Sequence, residues 1–226
     1  MKIDSTLFLV SIPIGNPKDL SIRAKEIIQS SELIIGEEWK TTSKFLKSIS
    51  VDKEFELLNE HSTFEDINSI AEKIAEKEIS CLFSDAGTPL LSDPGLALTK
   101  ILLSKKIHIK AIPGPSAFLL ALVLSGFQTA PFSFLGFLPR EEEELNVELK
   151  RIKNLKHTLV FYETPYRYKK LISILAKHFS KDTKIFLGLD LTTENEIQWR
   201  GTIFELNKIL EELPKSPPVI VIENLV

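Results

Sequence analysis

A single cysteine, a single methionine and only nine glycines stand in this 226-residue sequence, and no run of apolar residues is long. The lone Cys81 excludes a disulfide framework and a cysteine-built zinc site, and fits a reducing compartment. No stretch reaches the roughly 20 apolar residues that a membrane-spanning helix needs. The opening MKIDSTLFLVSIPIGNP lacks the basic start, apolar core and small-residue cleavage site of a secretory signal, so a cytoplasmic location is expected. Cationic excess is missing as well. With 28 Lys+Arg against 31 Asp+Glu the net charge is -3, which offers nucleic acid no global attraction. Any such partner must be held by a local patch. The four histidines, His61, His108, His157 and His178, show no metal-ligand spacing, and no metal is expected. There is no G-x-G-x-x-G, no phosphate-binding G-x-x-x-x-G-K-[ST] and no G-x-S-x-G elbow.

What remains is an ordinary globular composition, 43% hydrophobic and 26% charged, with enough apolar side chain to offset chain entropy. The first half alternates short apolar runs with helical periodicity. Strands are expected at 7–11, 33–35, 55–58, 80–84 and 107–112. Helices are expected from 19, at 41–49, at 63–77 and at 95–104. Repeated βα units of this kind imply a parallel sheet covered by helices. The second half places strands at 132–136, 158–162, 184–189, 196–200 and 219–223. Its helices fall at 116–125, 141–153, 166–179 and 203–213. Two of those strands follow each other without a helix, which implies a mixed, partly antiparallel sheet. SAFLLALVLS (116–125) is apolar enough to predict burial on most sides. The prolines of IPGPS suggest a boundary between a domain of residues 1–113 and one of 114–226.

Three strand-end loops stand out. SDAGTPLLSDPG (84–95) packs two Gly, two Pro, two Asp, two Ser and a Thr into twelve residues, more than a plain turn requires. SIPIGNP (11–17) and IPGPSA (112–117) also follow strands, and Ser116 is placed to cap the next helix. Ligands of open α/β sheets bind beyond the carboxyl ends of the strands, where glycine lets them approach the backbone. Other polar residues at strand ends are Glu37, Glu38 and Lys40, and Glu60 with His61. Each also reads as a solvated surface loop. The run Glu141–Glu144 suits the positive end of a helix dipole.

These loops, in this order, resemble the tetrapyrrole methylase superfamily of S-adenosylmethionine-dependent methyltransferases. The resemblance rests on LVSIPIGNPKDLSIRA, SDAGTPLLSDPG, IPGPSAFLLALVLSG, FSFLGFLPR, LVFYETPYR and PPVIVIE, which span nearly the whole chain. Within the superfamily, SDAGTP and GFLP point to the ribosomal RNA small-subunit branch that methylates a cytidine 2′-hydroxyl. The resemblance implies two α/β domains, an N-terminal parallel sheet and a C-terminal mixed sheet, with the cofactor in the cleft between them, and a homodimer. It implies cofactor contacts at Pro13, Ile14, Ala86, Gly87, Thr88, Leu91, Ser116 and Ala117, and at Glu163, Leu191 and Pro218 from the second domain. A hydroxyl acceptor must lose its proton. Glu38, Lys40, His61 and Asp85 are the rim residues proposed for that task.

The sequence departs from the branch where RNA would lie. Glu37-Glu38-Trp39-Lys40 replaces an acidic-acidic-Thr-Arg stretch, His61 is followed by Ser62 and Thr63 rather than Asn-Glu, and four glutamates follow Arg140. The small helical extension frequent in the branch has no counterpart after PPVIVIE. No basic RNA-facing patch is evident. Two other readings therefore stand beside RNA methylation: a methyltransferase acting on a tetrapyrrole or other small molecule, and an inactive cofactor-binding regulatory module.

Overall fold

The computed structural model describes residues 4–225. The chain forms two compact units that divide after Ser116.

The first unit carries a five-stranded sheet of β1 (Thr6–Val10), β2 (Leu33–Gly36), β3 (Glu56–Leu57), β4 (Ile79–Leu82) and β5 (His108–Ile112). Its strand order is β3-β2-β4-β1-β5, and every pairing is parallel. The crossovers are α1 (Ile22–Ser30), α2 (Trp39–Ser48), α3 (Phe64–Ala75) and α4 (Leu96–Ser104). Strand periodicity sends neighbouring side chains to opposite faces, and both faces are apolar because helices cover both. Val10, Ile34 and Cys81 join Ala24, Ile28 and Leu46 in one core cluster. Leu7, Ile35 and Leu82 join Ile70, Ile74, Leu98 and Leu102 in the other. Burial pushes the Cys81 thiol up to about 12, which keeps it protonated and unreactive.

Side chains set the starts of α1 and α3. Ser21 Oγ accepts from the Ala24 amide at 3.1 Å, and Thr63 and Asp66 form a reciprocal capping box at α3.

The second unit holds β6 (Phe132–Phe137), β7 (Thr158–Tyr162), β8 (Lys184–Leu189), β9 (Ile197–Thr202) and β10 (Pro218–Glu223), in the order β6-β7-β10-β8-β9. β6 and β7 are parallel, and the other pairings are antiparallel. Helices α6 (Glu142–Lys153), α7 (Tyr168–His178) and α8 (Ile203–Ile209) supply Leu149, Leu171, Leu175 and Leu206 to one large cluster with Leu159, Phe161, Leu187 and Ile220. The helical segment expected to reach 213 ends earlier, closing as a 3-10 turn at Leu210–Glu212.

α5 (Ala117–Ser125) is the apolar helix expected from the sequence. It packs on β7, β8 and β10 and is buried or half-buried on most sides, and the exception is one exposed stripe, Leu119 at 47% and Val123 at 70%.

Among the described residues, no helix is long and apolar enough to cross a membrane.

Candidate active site

Parallel pairing puts the carboxyl ends of all five first-unit strands on one rim. β4, β1 and β5 are adjacent, so the three loops singled out in the sequence emerge side by side. They are joined to one another. Ile12 and Gly87 exchange both backbone hydrogen bonds, at 2.9 and 3.1 Å, as an isolated antiparallel bridge. The Thr88 hydroxyl donates to the Pro115 carbonyl at 3.1 Å and lies 3.0 Å from Ser11 Oγ. A hydroxyl has one proton to give, so Ser11 donates to Thr88.

Backbone conformation shapes the rest of the loop. Gly87 has φ +78°, and a Cβ there would stand 3.2 Å from Ile14 Cγ2. Leu90 and Ser92, either side of Leu91, hold left-handed φ of 70° each. Non-glycine residues in that region store strain and concentrate at functional sites. Pro13 and Ile14 are half-buried beside the bridge, and Ala86 is exposed.

Ser116 does not act as the expected cap. Its Oγ is buried and has no hydrogen-bond partner. An orphaned buried hydroxyl at the base of a strand-end loop is what a polar ligand would satisfy. Together with the close backbone at Gly87, it fits a cofactor held by main chain and small side chains. Ala117 is the first residue of α5.

The β2 and β3 ends bring carboxylates to the same rim. The Asp85 amide donates to Glu37 Oε2 at 3.2 Å, and the Glu38 amide donates to Asp85 Oδ1 at 3.3 Å. Glu37 borders a small recess lined by Gly36, Leu58, Leu82, Phe83, Ser84 and Pro94. Burial there pushes its carboxyl up to about 7, against the lowering effect of the Asp85 amide and with help from the charges of Asp93, Asp85 and Glu60. Burial also raises Asp85 and Asp93.

The four residues proposed for proton removal fare differently. Glu38 caps α2 by accepting from the Thr41 amide at 2.8 Å; that bond holds its carboxyl below the usual range and leaves it a weak base. Lys40 is exposed on the first turn of α2. His61 is exposed, 3.8 Å from Glu60. Asp85 alone belongs to one of the three loops, and Glu38 reaches that loop only through its backbone amide. Glu37, the carboxylate with the largest shift toward neutrality on this rim, is among the strand-end polar residues picked out in the sequence but not among the four proposed for proton removal. Its signal was position: it is the first residue beyond the buried β2 strand.

The second-unit candidates gather on an edge of their own sheet. Glu163 follows the carboxyl end of β7, Pro218 opens β10 beside Leu189, and Leu191 follows β8. The Asp190 amide donates to the Pro217 carbonyl at 3.2 Å, and Asp190 and Thr192 are both left-handed around Leu191. Glu163 is 5% exposed. Its Oε1 accepts from the Thr164 amide at 2.7 Å, and its Oε2 lies 2.9 Å from Arg167 Nε. That second contact is an ion pair rather than a well-angled hydrogen bond. Arg167 Nη2 also donates to the Leu138 and Pro139 carbonyls at 3.0 and 2.8 Å, which locks FYETPYR to GFLP. No cluster of three or more metal-ligating side chains occurs among the described residues.

Comparison with known proteins agrees with this geometry. The family of Tetrapyrrole (Corrin/Porphyrin) Methylases matches residues 6–207. A Leptospira borgpetersenii protein named ribosomal RNA small subunit methyltransferase I is 45% identical over 99% of this chain and 89% of its own length. A Mycoplasma genitalium protein of the same name is 35% identical over 97% of this chain and 80% of its own. The structure of uroporphyrin-III C-methyltransferase from Thermus thermophilus, complexed with S-adenosylhomocysteine, aligns with TM-score 0.66 at 13% identity, over 98% of each chain, and speaks to the fold alone. A matched family, near full-length relatives and a rim shaped for a backbone-held ligand converge: the chain belongs to the tetrapyrrole methylase family and is an S-adenosylmethionine-dependent methyltransferase.

Proposed function

We propose that the chain methylates RNA of the small ribosomal subunit, at a ribose 2′-hydroxyl. The observation that carries this reading is its 45% identity, across 99% of the chain, to a relative named for that RNA. S-adenosylmethionine supplies a methyl already activated on a sulfonium. The protein's share is therefore to position the acceptor in line and to take its proton. In the reading proposed here, Pro13, Ile14, Ala86, Gly87, Thr88, Leu91, Ser116 and Ala117 form the cofactor contacts of the first unit. Glu163, Leu191 and Pro218 are the proposed contacts of the second. Glu37 is the candidate proton acceptor, with Asp85 holding its carboxylate. Glu37 would accept the hydroxyl proton as the acceptor oxygen takes up the methyl that the cofactor would supply, and would pass that proton to solvent.

A homodimer in the cytoplasm completes the reading. The exposed Leu119 and Val123 on α5 are apolar groups that a second copy would cover.

The test is transfer of labelled methyl to small subunits prepared from cells lacking this protein. A 2′-O-methyl blocks alkaline cleavage of the adjoining phosphodiester, so the label should appear in an alkali-resistant dinucleotide. Label on a base, or none on RNA while a tetrapyrrole precursor accepts it, would overturn the reading. In parallel, folded Gly87→Val should bind no cofactor by calorimetry.

A further inference from the structure

Helix α2 is amphipathic in an unusual way. Thr42 and Leu46 are buried on its inner side. Lys40, Lys44 and Lys47 recur at helical spacing on the opposite side, and all three are exposed. They cover about 10 Å along the helix. The helix contains no acidic residue. Most surface lysines of amphipathic helices are solvated or paired, and in this unit Lys73 pairs with Glu56 and Lys105 with Glu72. None of the three α2 lysines has an ion-pair partner among the described residues, although Lys40 is near enough to Glu38 to lower its pKa. In a chain of net charge -3 this is a local cationic stripe, which was not visible as a basic run in the sequence. At its head stands Trp39, 59% exposed and 6.5 Å from the Phe55 ring. The helix begins at the rim, where the Glu38 amide is bonded to Asp85 of the cofactor loop.

We propose that this face of α2 is the RNA docking surface. Lys40, Lys44 and Lys47 neutralise backbone phosphates, and Trp39 stacks on an unpaired base where the strand reaches the rim. The charge is complementary to phosphate, and an exposed aromatic beside it is the pairing by which single-stranded RNA is held. An acidic protein partner would use the lysines but not a planar stacking ring. This inference rests on the RNA reading above.

Binding of a small-subunit RNA fragment to the full-length protein, measured at stepped salt, tests it. Each lost phosphate contact lowers the slope of log K against log salt by about 0.7 for single strands. Lys44→Gln/Lys47→Gln should therefore lower the slope by about 1.4. Cofactor affinity should not change, and Lys44→Arg/Lys47→Arg should restore the slope. Trp39→Ala should weaken binding roughly tenfold with the slope unchanged, since stacking releases no counterions. Lys170→Gln/Lys177→Gln on α7 removes the same charge and should leave binding unaltered. An unchanged slope in the α2 double variant, or an equal loss in the α7 pair, would overturn the docking surface while wild-type methyl transfer to RNA still stood. Failure of the wild-type protein to methylate any RNA would instead overturn the RNA reading, and the docking surface with it.

Discussion

The Thr88 hydroxyl sits 3.0 Å from Ser11 Oγ while donating to the Pro115 carbonyl, so one side chain fastens the loops after β4, β1 and β5 together. The three residues lie far apart in sequence, and the parallel sheet brings them within reach. Each loop alone is a strand end rich in turn-forming residues. Fastened, they make one surface on which backbone groups hold fixed directions.

Removing that hydroxyl should loosen all three loops. Thr88→Val keeps the shape and leaves Ser11 Oγ and the Pro115 carbonyl without their partner, a cost of about 1–3 kcal/mol. Urea denaturation should register that loss, and calorimetry should show cofactor binding weakened by about tenfold. Wild-type affinity in Thr88→Val would mean that the fastening plays no part in the site.

Gly114 tests the packing beneath. A Cβ at this position would stand 2.8 Å from Ser11 Cβ and 3.2 Å from the Ser11 carbonyl oxygen. Backbone cannot yield as a flexible side chain can, so Gly114→Ala should destabilise by about 1–3 kcal/mol and displace the first loop. Gly126→Ala offers the contrast: no atom lies within 4 Å of its added Cβ, and only its φ of +72° opposes the change. The two melting temperatures, compared directly, check the ordering.

Glu37 predicts a pH dependence. Its carboxyl moves from the ordinary 4.5 to about 7. Between those values the folded protein holds a proton that the unfolded chain has released. Stability from this group is therefore present below pH 4.5 and declines as pH rises toward 7. Glu37→Gln should flatten that slope and be the more stable protein at pH 8. Methyl transfer should behave oppositely, rising with pH through about 7 in wild type as the carboxylate forms, and remaining low and flat in Glu37→Gln. Denaturation curves and single-turnover rates at pH 5 to 8 measure both.

Arg167 and Glu163 form the tie of the second unit. The Glu163 side chain is 1% exposed, so Arg167→Ala would strand a buried carboxylate at a cost of about 3–5 kcal/mol. Adding Glu163→Gln should recover part of the loss, since a neutral amide is cheaper to bury. A double variant no more stable than Arg167→Ala would show that the carbonyl contacts to Leu138 and Pro139, rather than the ion pair, dominate.

Much of this was legible in the sequence. Leu7, Ile34 and Cys81 lie in runs apolar on consecutive residues, and such runs signal strands covered on both faces. The density of turn residues in SDAGTPLLSDPG marked a long strand-end loop, which the structure joins to the loops after β1 and β5. Three features lay beyond the sequence. The exposure of Leu119 and Val123 depends on which side of α5 meets the sheet, and a helix apolar all round carries no such direction. Ser116 has the composition of a cap, yet a cap requires geometry as well as a hydroxyl. The weight of Glu37 over Glu38 is likewise spatial. One carboxylate turns into a recess and the other folds back on its helix, although the two are chain neighbours of the same type.

The bridge between Ile12 and Gly87 carries a last consequence. Both polar atoms of the Gly87 backbone already face a protein partner, so the loop is set in its shape by folding. A ligand arriving there meets a finished surface and has little chain motion to arrest. Affinity at this rim should thus depend weakly on loop entropy, and the Gly87 amide should exchange with solvent slowly even before any cofactor is added.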